Sequence, residues 1–397
     1  MTSPARMSAA ELRASGALAS IFALRLFGMF VILPVFALWA RDRPGWNLQL
    51  AGIAMGAYGL TQGLLQIPFG WLSDRVGRKA MLYVGLAIFA TGSFVCAASD
   101  SPYGMILGRI LQGAGAISGV AIAAVADLTR ESQRSKAMAI IGSTIGGVFA
   151  ISFVIAPFLE HLIGLNGIFA MTGVLVLVAI AVVRFGVPEP HGPRSVPRAG
   201  AFAAAFRDRE LLRLYVGIFA LHAVLMAVFV VVPVALAQAG LPASEHSWVY
   251  LGAVVAGFVL MFPAFVGRAA GRERPIFLAS VAVVAAGIAL LAVGLASLAA
   301  IVAALVIFFA GFNVLEAKLP ALVSRAAPRE ATGAATGMYS SVQFLGTFFG
   351  AAAAGSIAQH AGSTAVLVTC LVVAGVWFAV AWNMGDFMPA ASPASRT

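Results

Sequence analysis

Two stretches of this chain, Pro275–Leu315 and Ala331–Gly385, contain no Asp, Glu, Lys or Arg at all. A helix crosses the hydrocarbon core of a bilayer in about 20 residues. The stretches are 41 and 55 residues long, too long for one span each, so each is expected to turn back once. The first is expected to turn around Gly294–Ser297, the second at Gln359–Gly362. The rest of the chain has the same character. Hydrophobic residues make up 61% of the 397 positions and charged residues only 10%, where a soluble domain carries roughly 25%. A soluble core of this size would lack a polar cover, and a disordered chain would be poor in apolar residues.

In lipid the backbone must satisfy its own hydrogen bonds, so helices are the expected spanning unit. The alternation of a membrane barrel is absent. The apolar runs predict an all-α membrane protein with twelve spans, at 17–39, 50–72, 79–98, 104–126, 137–159, 166–186, 211–236, 247–267, 275–295, 300–323, 332–358 and 363–383. A proline-bearing stretch, with Pro188, Pro190, Pro193 and Pro197, separates the sixth span from the seventh. It divides the chain into a six-helix half (1–186), a cytoplasmic linker (187–210) and a second six-helix half with a short tail (211–397). Two such halves around a central site form a recurring transporter plan.

The net charge of +10 does not mark a nucleic-acid binder, because the basic residues sit in short loops between apolar runs. Counted in alternate loops, 21 Lys and Arg fall on one side and only Arg41 and Arg43 on the other. Basic residues concentrate on the cytoplasmic side, so both termini are expected there, in a bacterial inner membrane. The run from Ala17 to Trp39 is too long for a signal-peptide core and holds Arg25, so it reads as a retained first span. Cys96 and Cys370 both lie in apolar runs and suggest neither a disulfide framework nor a metal site.

Ionisable and amide side chains are costly in a bilayer and face a bundle interior or a wet cavity. Here they are Arg25 in the first span, Gln62 and Gln66 in the second, Arg109 and Gln112 in the fourth and His222 in the seventh. Asn313 and Glu316 lie in the tenth span and Gln343 in the eleventh. Spans three, six, nine and twelve have none, so every third helix is expected to face lipid. The competing reading is that these groups make interhelical hydrogen bonds. Arg25 lies about eight residues into its span, roughly 12 Å at 1.5 Å per residue, and requires a partner. Glu316 and a bound anionic group are the candidates. Glu316 would load and release a proton as its surroundings alternate, unless nearby Lys318 simply neutralises it. His222 is the reserve proton carrier, since an unperturbed imidazole titrates near 6.5.

The second span ends in Gly70-Trp71-Leu72-Ser73-Asp74-Arg75-Val76-Gly77-Arg78-Lys79. This resembles the signature G-x-L-[SA]-D-R-x-G-R-[RK], found between helices two and three of the major facilitator superfamily. A plain basic loop explains Arg75, Arg78 and Lys79, but neither Asp74 nor the placement of Gly70 and Gly77. Arg109-Ile-Leu-Gln112-Gly113-Ala114-Gly115 is similar to the R-x-x-Q-G-x-G motif of proton-coupled members. Gly267-Arg268 through Gly271-Arg272 looks like a decayed copy of the loop signature. The fifth span departs from the drug-antiporter motif G-x-x-x-G-P-x-x-G-G, having Ala156 before Pro157 and Phe158-Leu159-Glu160 after it. Within the superfamily, residues 15–385 resemble the YajR group of bacterial inner-membrane efflux transporters. Leu24–Phe30, Tyr58–Gln62, Asp127–Glu131 and Tyr339–Gly346 carry much of that likeness. A soluble C-terminal domain of that group is not expected here, with about fourteen residues after the last span.

The resemblance implies alternating access and proton-driven efflux of a small molecule. It places Asp74 against the N-terminus of helix eleven near Ala331–Ala334, where a carboxylate is favoured, and pairs Arg78 with Asp127. That closure is expected in the outward-facing state only. An importer of a nutrient or metabolite on the same fold is the nearest alternative, and a non-transporting membrane sensor a more distant one. No enzyme chemistry is expected: His222 has no His or Cys neighbour in sequence, and no nucleophile motif stands out. The expected partners are a small-molecule substrate, protons and the bilayer, with no nucleic acid. No cofactor and no metal are expected, the proton gradient supplies the energy, and the chain is expected to act as a monomer.

Overall fold

The computed structural model of the chain describes residues 7–189, 200–264, 273–328 and 331–385. Every regular element among them is helical. The first span is bent into α1 (Ala9–Phe30) and α2 (Leu33–Arg41). Pro34 at the start of α2 explains the bend, because its ring clashes with the preceding turn and it has no N–H to donate. The first span starts earlier than the predicted residue 17 because Ser8 caps it. The Ser8 hydroxyl accepts from the Glu11 N–H at 3.2 Å, and the Glu11 carboxylate accepts from the Ser8 N–H at 2.8 Å.

The second and third spans are α3 (Leu48–Val76) and α4 (Arg78–Ala97). Predicted as one helix, the fourth span is α5 (Pro102–Ala114) followed by α6 (Ser118–Leu128). The fifth and sixth spans run together as α7 (Glu131–Gly186), broken at Gly164. After the short α8 (Ala201–Arg207) come α9 (Arg209–Gln238), α10 (His246–Met261), α11 (Glu273–Gly294) and α12 (Leu298–Ala326). The eleventh and twelfth spans run together as α13 (Thr332–Trp382), broken at Gly362. Gly164 (φ 66°, ψ 172°) and Gly362 (φ 81°, ψ 171°) adopt the same backbone shape, one that glycine alone takes without strain. The same turn thus recurs at matching places in the two parts of the chain.

Eight of the helical segments are long and apolar enough to cross a membrane. Two of these are the double-length α7 and α13, and the Gly- and Gln-rich α3 and the shorter α10 fill the remaining places. The described helices therefore account for the twelve predicted spans. The decayed signature copy at Gly267–Arg272 and linker residues 190–199 lie outside the described residues.

The apolar core has two main parts, and their extents reveal a cleft. One joins residues 31–55 and 153–169 to most of the second half of the chain. The other is built from the first half alone, on the side of the loop signature. Glycines on α3 show the same asymmetry. A Cβ at Gly56 would come within 2.8 Å of the Phe348 carbonyl on α13, and one at Gly63 within 2.8 Å of the Ser341 carbonyl. Two turns further along the same faces, Gly70, Gly333 and Gly337 would meet nothing within 4 Å. The halves are therefore packed together away from the signature and spread apart beside it.

Candidate functional site

At the mouth of the cleft, Gly77 ends α3 and begins α4 with φ 116°, so no other residue intervenes. This sharp turn brings Arg78 back alongside α3. Its Nη2 lies 2.6 Å from Asp74, its Nε donates to Asp127 at 3.0 Å, and its Nη1 donates to Ser73 Oγ at 2.5 Å. Lys79 donates to the Val187 carbonyl at 3.0 Å, and Arg75 lies 3.8 Å from the centre of the Trp71 ring. Arg78 thus links the ends of α3, α4 and α6 within one half while the cleft stands open. The expectation that these contacts form only with this side closed is corrected: the Arg78 pairs are internal to the first half and do not require closure.

Deeper in the first half, Arg25 is 1% exposed and makes four hydrogen bonds. It donates to Ser118 Oγ (2.9 Å), the Tyr58 hydroxyl (2.8 Å), Gln62 Oε1 (2.5 Å) and the Gly115 carbonyl (3.1 Å). Gln62 in turn donates to Gln66 Oε1 at 2.7 Å. Gly115 lies where the fourth span unwinds between α5 and α6, which frees its carbonyl for the guanidinium. Glu316, expected as the partner of Arg25, is not one. Neutral hydroxyls, an amide and a carbonyl within the same half meet it instead.

Arg109 and Gln112 are likewise enclosed, and they make bonds between helices. Arg109 donates to Gln112 Oε1 at 2.7 Å and to the Ala54 and Met55 carbonyls of α3 at 3.3 Å each, and Gln112 donates to Ser93 on α4 at 2.8 Å. These are the interhelical bonds of the competing reading, made within the first half. Neither Arg25 nor Arg109 forms an ion pair with a described residue.

In the second half, His222 (α9), Glu316 (α12) and Gln343 (α13) converge. The Gln343 amide donates to His222 Nε2 at 2.8 Å and to Glu316 Oε1 at 3.4 Å. His222 Nε2 lies 3.8 Å from Glu316 Oε2. An imidazole that accepts at Nε2 carries its proton on Nδ1. Protonating Nε2 would turn it into a donor, release Gln343 and favour the adjacent carboxylate. Around this trio, Asn313 Nδ2 and the Tyr339 hydroxyl are enclosed with no hydrogen-bond partner among the described residues. Buried polar groups are normally satisfied, so these two donors stand out beside the trio. Lys318 does not neutralise Glu316: it donates to Glu273 at 2.6 Å, and Arg325 donates to the other oxygen of Glu273 at 3.3 Å.

Residues 18–351 match the profile of the Major Facilitator Superfamily. The chain belongs to this superfamily. It is 39% identical over 386 residues to the inner membrane transport protein YajR of Escherichia coli K12, covering 96% of this chain and 85% of that protein. It is 24% identical to the multidrug resistance protein MdtH of Aeromonas salmonicida, over 60% of this chain and 61% of that protein. Among solved structures, a bacterial homologue of the human lysosomal transporter Spinster, in an inward-facing and occupied conformation, superposes with a TM-score of 0.73. That match has 14% identity and covers 97% of this chain and all of the other.

As a major facilitator transporter, the chain is a multi-pass membrane protein and not an enzyme. The sequence reading of its site missed Tyr58, Ser118 and Tyr339. Tyr58 is one helical turn before Gln62 and Tyr339 one turn before Gln343, and both lie in stretches that carry the family likeness. It also missed Glu11, whose carboxylate holds Arg130 through the backbone N–H at 2.9 Å and the guanidinium at 2.8 Å. That contact ties the start of the first span to the link between α6 and α7.

Replacing Arg25 with Ala removes four buried hydrogen bonds at once and leaves Gln62 Oε1 and Ser118 Oγ with only the long contacts to Tyr58 (3.4 Å) and Gln62 (3.5 Å). An unsatisfied buried group costs about 1–3 kcal/mol, so the loss should reach about 3 kcal/mol or more. The expected result is a clear fall in the thermal midpoint of purified Arg25→Ala, with partial recovery in Arg25→Lys. An unchanged midpoint would show that these bonds do not hold the first half together.

Proposed function

We propose that this transporter is a proton-coupled exporter of the bacterial inner membrane, working as a monomer by alternating access between halves 1–186 and 211–397, joined by the linker 187–210. The observation that carries the reading is the His222–Glu316–Gln343 trio. A carboxylate and an imidazole share one amide donor beside unsatisfied polar atoms, at the helices that face the other half. Such an arrangement can exchange a proton between two neighbouring groups as its surroundings change. The likeness to the multidrug resistance protein MdtH supports export over import. On this reading the signature side is cytoplasmic and the cleft described above is the inward-facing cavity. The test is transport by purified protein in proteoliposomes with an imposed pH gradient. Export requires uphill substrate movement against the inward flow of protons, and co-movement of substrate with protons would establish the importer instead.

The orientation carries its own expected result. Single cysteines at Ser101, Ser244 and Ala361, in a background free of Cys96 and Cys370, should react with an impermeant thiol reagent in whole cells. Ala361 is preferred to the adjacent Gly362, whose φ of 81° disfavours any other residue. Cysteines at Ser135 and Ser195 should react only after lysis. The opposite pattern would invert the assignment.

A further inference from the structure

The charge facing the central cleft is set by which ionisable groups are enclosed and which are not. Arg25 and Arg109 are each 1% exposed and engaged by neutral partners, so neither presents its charge to the cleft. Glu316 is the sole Asp or Glu within the twelve predicted spans, and 39% of its side chain is exposed. Next to it, Asn313 Nδ2 and the Tyr339 hydroxyl are enclosed donors with no acceptor among the described residues. Asn313 is one turn before Glu316 on α12, and Tyr339 one turn before Gln343 on α13.

The surrounding walls are aromatic. The Phe312 ring lies 6.1 Å from that of His222, and Phe309 lies 6.1 Å from Phe312. Aromatic contacts then cross to the first half through Phe149, 6.5 Å from Phe309, and through Tyr58, 6.0 Å from Phe344. Aromatic faces attract cations and repel anions. One carboxylate with no Lys or Arg partner among the described residues, two idle donors and neighbouring aromatic rings therefore present a single coherent chemistry.

We propose that the cargo is an amphipathic organic cation carrying a hydrogen-bond acceptor, with its charge held by Glu316 and its acceptor by Asn313 and Tyr339. This rests on the reading of the His222–Glu316–Gln343 cluster as the transport site and adds the class of molecule that it takes. His222 is the other titratable group in contact with Glu316, and Tyr339 lies nearby. Cargo and proton therefore compete for one small cluster.

Three fluorescent probes test this with purified protein at pH 8. Rhodamine 6G is a cation with an ester carbonyl, fluorescein is an anion on a similar ring frame, and Nile red is uncharged. Fluorescence anisotropy should show rhodamine 6G binding at least tenfold more tightly than fluorescein. Glu316→Gln should weaken rhodamine 6G at least tenfold and leave Nile red unchanged, with Glu316→Asp retaining more affinity than Glu316→Gln. Asn313→Leu and Tyr339→Phe should each weaken rhodamine 6G several-fold without lowering the thermal midpoint. Tighter binding of fluorescein or Nile red than of rhodamine 6G by the unmodified protein would overturn the proposal, and so would rhodamine 6G affinity indifferent to Glu316→Gln. The same probes in proteoliposomes separate this idea from the one beneath it. If rhodamine 6G binds as expected but no pH gradient drives its movement, the cargo class stands and proton coupling falls. If the gradient drives fluorescein or Nile red and not rhodamine 6G, coupling stands and the cargo class falls.

Discussion

Glu316→Gln should abolish uphill transport in proteoliposomes, with the gradient-driven rate falling at least a hundredfold, while downhill exchange of substrate persists. Glutamine keeps the length of the side chain and its hydrogen bonding to Gln343, but it cannot gain or lose a proton. The coupled cycle therefore stops at the step where the carboxylate would be reloaded. His222→Gln should produce a milder defect that changes the pH dependence, because its Nε2 lies 3.8 Å from the carboxylate and can only pass a proton on. If Glu316→Gln still transports against a gradient with unchanged pH dependence and His222→Gln does not, the coupling role belongs to the imidazole.

The sequence made the spans legible because twelve apolar runs and their loops leave few other solutions in a bilayer. It did not show where the helices bend. Pro34 and Gly115 look like ordinary interruptions until Gly115 is seen to release a carbonyl toward Arg25. The sequence also singled out Glu316, but the neighbours it offered differ from those in the structure. Lys318 is two positions away, and residues i and i+2 on a helix do not face each other. Lys318 accordingly turns to Glu273 on α11, while Glu316 turns to α9 and α13. The partners of Arg25 were illegible for a different reason. A search for an opposite charge passes over Tyr58 and Ser118, although a buried guanidinium is also served by several neutral acceptors in a fixed arrangement.

The signature loop supplies the second large effect, and here two substitutions in one cluster should part company. Arg78 joins Asp74, Asp127 and Ser73 within the first half and is itself buried. Removing one member of a buried ion pair costs about 3–5 kcal/mol, so Arg78→Ala should lower the thermal midpoint sharply and reduce the yield of folded protein. Asp74→Asn keeps a hydrogen-bonding group beside Arg78, and Asp127 still pairs with that guanidinium, so stability should fall much less. Its effect should lie in the conformational balance. With the signature side closed, the Asp74 carboxylate would sit at the start of α13, where its negative charge is favoured by the helix dipole. Neutralising it removes a contribution that only the closed state receives, and only such a difference can shift a two-state balance. Spin labels at Lys136 on α7 and Ser324 on α12 report the width of the mouth. Asp74→Asn should enrich the long-distance population with a near-normal thermal midpoint, and transport should slow because closing the mouth is disfavoured. An unchanged distance distribution with unchanged transport would reduce Asp74 to a partner of Arg78 and nothing more.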